Sequence, residues 1–234
     1  MQLFYNPSLD NSFKQFSFDP DESKHIVKVL RKKEGDVLHI TNGKGYLYEA
    51  KILVADPKKC KAQLIDEDKT IPRAHSLHLA VAPTKLNDRF AWFLEKATEI
   101  GINEITPILC TNAERKVIKP ERLERVLQSA MKQSLQTYLP KLNPLTPLKE
   151  FLEKTSGDQK FIAHCLKGEK MELRRGISPD KDIVILIGPE GDFTKEEVSL
   201  AYDNGYIPVA LGRNRLRTET AAIYATTVVA LANN

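Results

Sequence analysis

Two stretches towards the end of the chain hold the residues best suited to chemistry. The first, Gly188-Pro189-Glu190-Gly191-Asp192-Phe193, follows directly on the aliphatic run Ile183 to Ile187. Glycines at such a junction let a ligand approach the backbone, whose free amides and carbonyls can read an adenine edge. The second runs from Leu211 through Gly212-Arg213-Asn214-Arg215-Leu216-Arg217 to Thr218-Glu219-Thr220-Ala221. Arg217 and Glu219 stand there at the mouth of an almost wholly apolar final segment. A Glu219 that only complements a helix dipole, with Arg217 paired to it, is the plainer alternative. Neither stretch has the spacing of the Walker loop or of G-x-G-x-x-G, so phosphate and dinucleotide binding are poorly supported.

Other chemistry-bearing residues point less far. Glu95, Lys96 and Glu99 put two carboxylates on one helix face, a spacing open to a hydrolase but more usual for a solvated, charge-laced helix. His25, His39, His75, His78 and His164 show no metal-ligand spacing, and His78 and His164 fall in predicted strands as structural residues. Cys60, Cys110 and Cys165 lie far apart and form no C-x-x-C pair, which reads as buried free thiols in a reducing cytosol. No metal is expected.

The elements that must position these residues are legible from periodicity. Leu77 to Ala82, Glu104 to Leu109, Lys160 to Cys165, Ile183 to Ile187 and Ile207 to Leu211 read as strands alternating with helical stretches. That alternation predicts a mostly parallel α/β sheet covered on both faces, with ligands at its carboxyl edge. Asn87 is a candidate cap for a helix whose Phe90, Leu94, Ala97 and Ile100 share a face and which Gly101 ends. Thr194 and Glu197 predict a capping box, Gly205 follows that helix, and the last helix, from Thr218 to about Leu231, should be buried. Ahead of Pro72 the period is two instead. Asp36 to Thr41 and Tyr46 to Ala55 flank Asn42-Gly43-Lys44-Gly45, a hairpin signal. Asp21 to Arg31 reads as one short helix inserted into this region, which is expected to form a small antiparallel barrel. The polar stretch Glu67 to Arg73 marks the boundary between domains 1–70 and 73–234.

With 234 residues, 41% hydrophobic and 28% charged, the chain has the composition of an ordinary globular protein and the length to bury a core. Its first residues lack a secretion signal and no run is long enough to span a membrane, so a cytoplasmic protein is expected. A net charge of +4 does not by itself argue for nucleic acid. Two basic runs, Lys28, Arg31, Lys32 and Lys33 and then Lys58, Lys59 and Lys61, suit either phosphate neutralisation or a solubilising surface.

Four ordered segments resemble the RsmE family of 16S rRNA (uracil-N3) methyltransferases, within the SPOUT superfamily. They are Leu186-Ile187-Gly188-Pro189-Glu190-Gly191, Leu216-Arg217-Thr218-Glu219-Thr220-Ala221, His25 with Val29-Leu30-Arg31, and Lys85 with Glu95-Lys96-Ala97-Thr98-Glu99-Ile100-Gly101. The resemblance spans essentially the whole chain. It implies an N-terminal PUA-like β-barrel that binds RNA and a C-terminal trefoil-knotted (SPOUT) α/β methyltransferase domain with a mostly parallel sheet. It further implies S-adenosylmethionine as cofactor, 16S rRNA of the small ribosomal subunit as partner, and a homodimer. Carried over, the cofactor contacts would be Leu186, Ile187, Gly188, Glu190 and Gly191 from one loop and Leu211, Gly212, Leu216 and Arg217 from the other. The chain departs from the family at Gln2-Leu3-Phe4-Tyr5, where an Arg beside an aromatic is common. It departs again at Lys132-Gln133-Ser134-Leu135-Gln136, where the family has E-Q-S-G-R, and at Asp192, which replaces a frequent glycine and is feasible in the loop if its φ is negative.

Methylation of uracil N3 by a sulfonium needs two aligned reactants and loss of the N3 proton, and negative charge develops on the ring. Arg217, always charged and rich in donors, is the expected stabiliser of that charge. Glu219 is the expected proton acceptor or orienter. Arg31, Lys32, Lys33 and Arg115 are the expected RNA contacts. Two rival readings are a non-catalytic RNA-binding assembly factor that keeps the fold and a nucleotide-dependent transferase using the Gly188 to Gly191 loop.

Overall fold

The computed structural model describes residues 1–10 and 14–233. The chain divides into two units, Met1–Pro72 with Met131–Leu139, and Arg73–Ala130 with Pro140–Asn234.

The first unit is a curled sheet of β1 (Leu3–Tyr5), β2 (Gln15–Ser17), β3 (Val37–Thr41), β4 (Tyr46–Val54) and β5 (Lys61–Lys69), in the order β1-β3-β4-β5-β2. β3 and β4 pair antiparallel about the expected hairpin, with Ile40 opposite Tyr48 and Leu38 opposite Ala50, so these four side chains share the buried face. In the hairpin loop Asn42 Oδ1 accepts from the Lys44 amide at 2.9 Å, and Gly45 takes φ +94°. A Cβ on Gly45 would fall 2.3 Å from the Tyr138 ring, so only glycine lets this turn meet Tyr138. The sheet is not wholly antiparallel: β1 runs parallel to β3.

The expected helix from Asp21 to Arg31 forms in two parts. Asp19 Oδ1 accepts from the Glu22 amide at 2.9 Å and starts α1 (Pro20–Lys24), with proline at its first position. His25–Val29 then widens into a π-helical turn, in which the Leu30 amide reaches the His25 carbonyl. Arg31 closes it at φ +55°, and the Lys32 amide bonds the Ile26 carbonyl.

The segment Met131–Leu139 belongs with this first unit, where the Gly45 amide donates to the Thr137 carbonyl at 2.9 Å and Lys132 Nζ pairs with Glu22 Oε1 at 2.9 Å. Leu135, standing where the resembling family has glycine, takes φ +57° and is 43% exposed. Left-handed backbone costs a β-carbon residue about 1–2 kcal/mol. Glycine returns part of that gain as extra freedom in the unfolded chain, so Leu135→Gly is expected to stabilise the protein by a net of about 0.5–1 kcal/mol, read as a shift in the urea midpoint. A destabilised variant would mean that the half-buried leucine packs more than its exposure indicates.

The second unit is a parallel sheet of β6 (Ser76–Val81), β7 (Glu104–Leu109), β8 (Lys141–Leu142), β10 (Gln159–Ala163), β11 (Met171–Glu172), β12 (Asp182–Ile187) and β13 (Ile207–Ala210), in the order β11-β13-β10-β12-β6-β7-β8, with β9 (Thr146–Pro147) also on β7. Residues Ile183 to Ile187 are buried throughout, as a strand covered on both faces requires. Ala163 of β10 is in register with Ile187 of β12 on one side and Val209 of β13 on the other. Three loops therefore leave the sheet side by side.

Helix ends follow local chemistry. α2 (Asn87–Ile100) ends at Gly101 with φ +114°, whose carbonyl accepts from Arg73 Nη1 at 2.6 Å. Its N-cap is Leu86, without a side-chain bond, so Asn87 is the first helical residue and not the cap. α6 (Lys195–Asp203) has the expected Thr194–Glu197 capping box, and Glu197 Oε1 also accepts from the Thr111 amide at 2.7 Å. α7 (Thr218–Ala232) buries most of its residues and packs on α2, β6 and β12. His78 is structural as expected. Its Nε2 lies 2.7 Å from Thr106 Oγ1, its ring meets Phe151 edge-on, and burial holds its pKa below the ordinary histidine value. The carboxylates of Glu95 and Glu99 are both tied to Lys96 Nζ, at 2.7 and 2.9 Å. Among the described residues no helix is long and apolar enough to cross a membrane.

Candidate active site

The three adjacent loops enclose a cavity of about 590 Å³, within the range of small-molecule sites. From the end of β12, Ile187, Gly188 and Glu190 line it. Gly188 is buried with its α-carbon against the Phe193 ring, where a Cβ would sit 3.0 Å from the ring carbons. Its carbonyl accepts from Thr218 Oγ1 at 3.0 Å, which ties the first loop to the start of α7. Leu186 and Gly191, both expected as contacts, are not in the lining. Strand alternation turns Leu186 into the core beside Ile162 and Val198, and Gly191 lies against Asn112.

Asp192 does not take the negative φ that would make a non-glycine residue easy here. It stands at +62°, with its amide bonded to the Pro189 carbonyl at 2.9 Å and its Oδ2 accepting from the Cys165 amide at 2.7 Å. Aspartate tolerates this conformation better than most residues, and the charge-assisted bond offsets its cost. Asn112 Nδ2 holds the same turn through the Gly191 and Asp192 carbonyls, at 3.2 and 3.0 Å.

From the end of β13 come Leu211, Gly212, Leu216 and Arg217, all expected and all in the lining. Gly212 has φ +148° and open space where a Cβ would stand. Arg217 is exposed at the N-cap of α7. Glu219 goes elsewhere. It is 6% exposed, lies 3.7 Å from Arg89 Nε, forms no ion pair with Arg217 among the described residues and is absent from the cavity lining.

The third loop supplies His164, Cys165 and Lys170, none of which was expected here. His164 lies one residue beyond the strand, so it is not the satisfied strand residue read from the sequence. Its Nε2 is 2.9 Å from the Tyr202 hydroxyl while its Nδ1 is buried without a partner among the described residues. Burial and nearby Lys170 lower its pKa. The signal for this loop was present only as a glycine-poor stretch after a strand; its place depends on β10 lying between β12 and β13. Glu190 holds a second orphan atom. Oε1 accepts from the Lys85 amide at 3.0 Å, and Oε2 is buried without a partner among the described residues.

These features fit S-adenosylmethionine. Apolar walls from Ala163, Ile187, Val209, Leu211, Leu216 and Ala221 suit the faces of a flat purine, and the glycine loops leave backbone amides and carbonyls free for its edge. The orphan atoms of His164 and Glu190 are buried polar groups that a ligand with donors and acceptors would satisfy. Among the described residues no group of three His, Cys, Asp or Glu side chains could hold a metal ion.

The expected RNA contacts separate. Arg31, Lys32 and Lys33 together line an open concavity of the first unit with Val27, Glu34 and Ala55. Arg115, in the second unit, is spent on backbone: its Nε donates to the Thr84 carbonyl at 3.0 Å and its Nη2 to the Lys85 carbonyl at 2.5 Å.

The chain matches two protein-family profiles, one described as an RNA methyltransferase domain, over residues 72–230, and one described as an RNA methyltransferase PUA domain, over residues 18–65. A Buchnera aphidicola protein named ribosomal RNA small subunit methyltransferase E is 32% identical over 229 residues, which cover 94% of this chain and 89% of that one. The crystal structure of a probable rRNA methyltransferase from Porphyromonas gingivalis superposes with a TM-score of 0.94 at 36% identity, covering 100% of this chain and 98% of that one. A ribosomal RNA small subunit methyltransferase E from Neisseria gonorrhoeae, bound to S-adenosylmethionine, superposes with a TM-score of 0.81 at 27% identity, covering 97% and 95%.

Proposed function

Because the chain belongs to the RNA methyltransferase family that contains ribosomal RNA small subunit methyltransferase E, we propose that it methylates the N3 of one uridine in 16S rRNA of the small ribosomal subunit. It is an rRNA methyltransferase of the SPOUT fold with a PUA domain, and S-adenosylmethionine is its cofactor. The observation that carries the reading is the cavity built by three neighbouring loops, with glycine-opened backbone inside and Arg217 at its edge.

When bound, S-adenosylmethionine supplies a methyl group on a sulfonium, an electrophile open to in-line attack. Ile187, Gly188, Glu190, Leu211, Gly212 and Leu216 would hold it. Arg217 faces the developing charge on the uracil carbonyl oxygens, and the positive end of α7 behind it acts in the same sense. Arginine cannot accept the N3 proton, and Glu219 lies beside Arg89, so the acceptor is another group at the site or solvent.

The first unit holds the RNA. Replacing Arg31, Lys32 and Lys33 together by alanine is expected to weaken RNA binding and to lower the slope of log K against log salt by about 2, since each single-strand phosphate contact contributes roughly 0.7. Affinity for S-adenosylmethionine, measured by calorimetry, should not change. The molecule works in the cytoplasm as a homodimer; exposed Trp92 of α2 and Tyr224 and Leu231 of α7, on two helices that pack together, offer apolar surface for a second copy.

The test is methyl transfer from labelled S-adenosylmethionine to unmodified small ribosomal subunits, with nucleoside analysis of the product. Appearance of 3-methyluridine supports the proposal. Another methylated nucleoside would overturn the target atom, and cofactor binding without transfer would leave an RNA-binding factor.

A further inference from the structure

The rim of the cofactor cavity carries more positive charge than methyl transfer needs. Lys170, Arg213, Arg215 and Arg217 line it, against the acids Glu190 and Asp192. Both acids are already engaged by backbone amides, of Lys85 and Cys165. Four other arginines of this unit have a carboxylate partner: Arg89 has Glu219, Arg122 has Asp88, and Arg174 and Arg175 share Glu172. None of the rim arginines forms an ion pair among the described residues. Among the described residues Arg215 Nη2 donates only to the Glu190 carbonyl, at 3.2 Å, a neutral acceptor that leaves the guanidinium charge unpaired. Arg213 and Arg217 have no hydrogen-bond or ion-pair partner among the described residues, although the Glu172 carboxyl, held down first by Arg174, is also lowered slightly by Arg213. All three arginines are exposed.

Guanidinium groups without a carboxylate partner, gathered on one short loop, are satisfied by anionic oxygens, which they meet in a bidentate fashion. We propose that Arg213 and Arg215 form a phosphate-binding rim that grips the RNA phosphodiesters flanking the target nucleotide, so that the strand is anchored by the catalytic unit itself as well as by the first unit. This rests on the rRNA methyltransferase reading above. Phosphate, rather than the cofactor's carboxylate, is the favoured anion because both side chains are exposed at the cavity edge, two and four residues from the arginine that faces the base. A base drawn out of its strand to that arginine brings its own phosphodiesters to the same rim.

The experiment compares the full-length protein with the double variant Arg213→Ala/Arg215→Ala and the rescue variant Arg213→Lys/Arg215→Lys. The readouts are KM for unmodified small ribosomal subunits, the salt dependence of binding to a uridine-containing oligoribonucleotide, and the Kd for S-adenosylmethionine. The alanine variant is expected to raise KM about tenfold and to lower the salt slope by about 1.4, two single-strand phosphates at roughly 0.7 each. Its cofactor Kd should stay within about twofold, and lysine should restore most of the salt slope while restoring KM only in part. An unchanged KM and slope would overturn the proposal. So would a cofactor Kd weakened as much as KM, which would assign the two arginines to the cofactor's carboxylate. Failure of the unaltered protein to methylate the subunits would instead overturn the functional reading beneath it.

Discussion

Arg217→Ala is expected to lower kcat for methyl transfer by about 10²–10³, the loss seen when one preorganised donor to a developing oxyanion is removed. Arg217 stands at the N-cap of α7 with extended backbone, φ −73° and ψ 157°, and makes no side-chain cap bond, so its truncation removes no helix-stabilising contact. The helix start is held instead by Thr218 Oγ1 on the Gly188 carbonyl. The variant should therefore unfold at the parent temperature and bind S-adenosylmethionine within a few-fold of the parent. Arg217→Lys should recover only part of the rate, because lysine keeps the charge but not the planar fork. Single-turnover kinetics with saturating cofactor would read the chemical step directly. A variant with normal cofactor binding and normal kcat would remove Arg217 from the mechanism.

Phe193→Ala is expected to cost about 3–5 kcal/mol of stability, as for other buried aromatics truncated in a packed core. Phe193 is 2% exposed and packs among Ile108, Ile162, Leu186, Val198 and Tyr206. Its ring also forms the floor beneath Gly188, so the same cavity would loosen the first loop of the cofactor site. Against the about 5–15 kcal/mol that holds a typical domain together, this is a large fraction. Urea denaturation would measure it, and saturating S-adenosylmethionine should recover part of the loss by mass action, less than in the parent if the loop is loosened. A cost below about 1 kcal/mol would mean that the core refills the space, contrary to the packing described.

Much of the fold was legible in the sequence because the signals were local. The hairpin around Asn42-Gly43-Lys44-Gly45, the Thr194–Glu197 capping box and the left-handed Gly101 each depend on atoms a few residues apart, and each stands as expected. The central strand of the second unit was equally plain, since burial on both faces leaves a continuous aliphatic run from Ile183 to Ile187. Local signals also misled where a neighbour distant in sequence intervened. Asn87 has the chemistry of a cap, yet the helix begins one residue earlier; Asp192 stands at positive φ, where its carboxylate accepts from the Cys165 amide.

The site divides along the same line. The sequence by itself determined the two glycine-bearing loops, the arginine at the head of a buried helix and the parallel sheet beneath them, because composition and short-range periodicity encode these directly. Only the tertiary structure decided that β10 lies between β12 and β13, which brings His164, Cys165 and Lys170 to the cavity. It alone turned Ile187 inward and Leu186 away, gave Glu219 to Arg89, and joined Met131–Leu139 to the first unit. Strand order, register and side-chain partnership are fixed by pairings between residues far apart in the chain, and such pairings leave no mark on the spacing of any one segment.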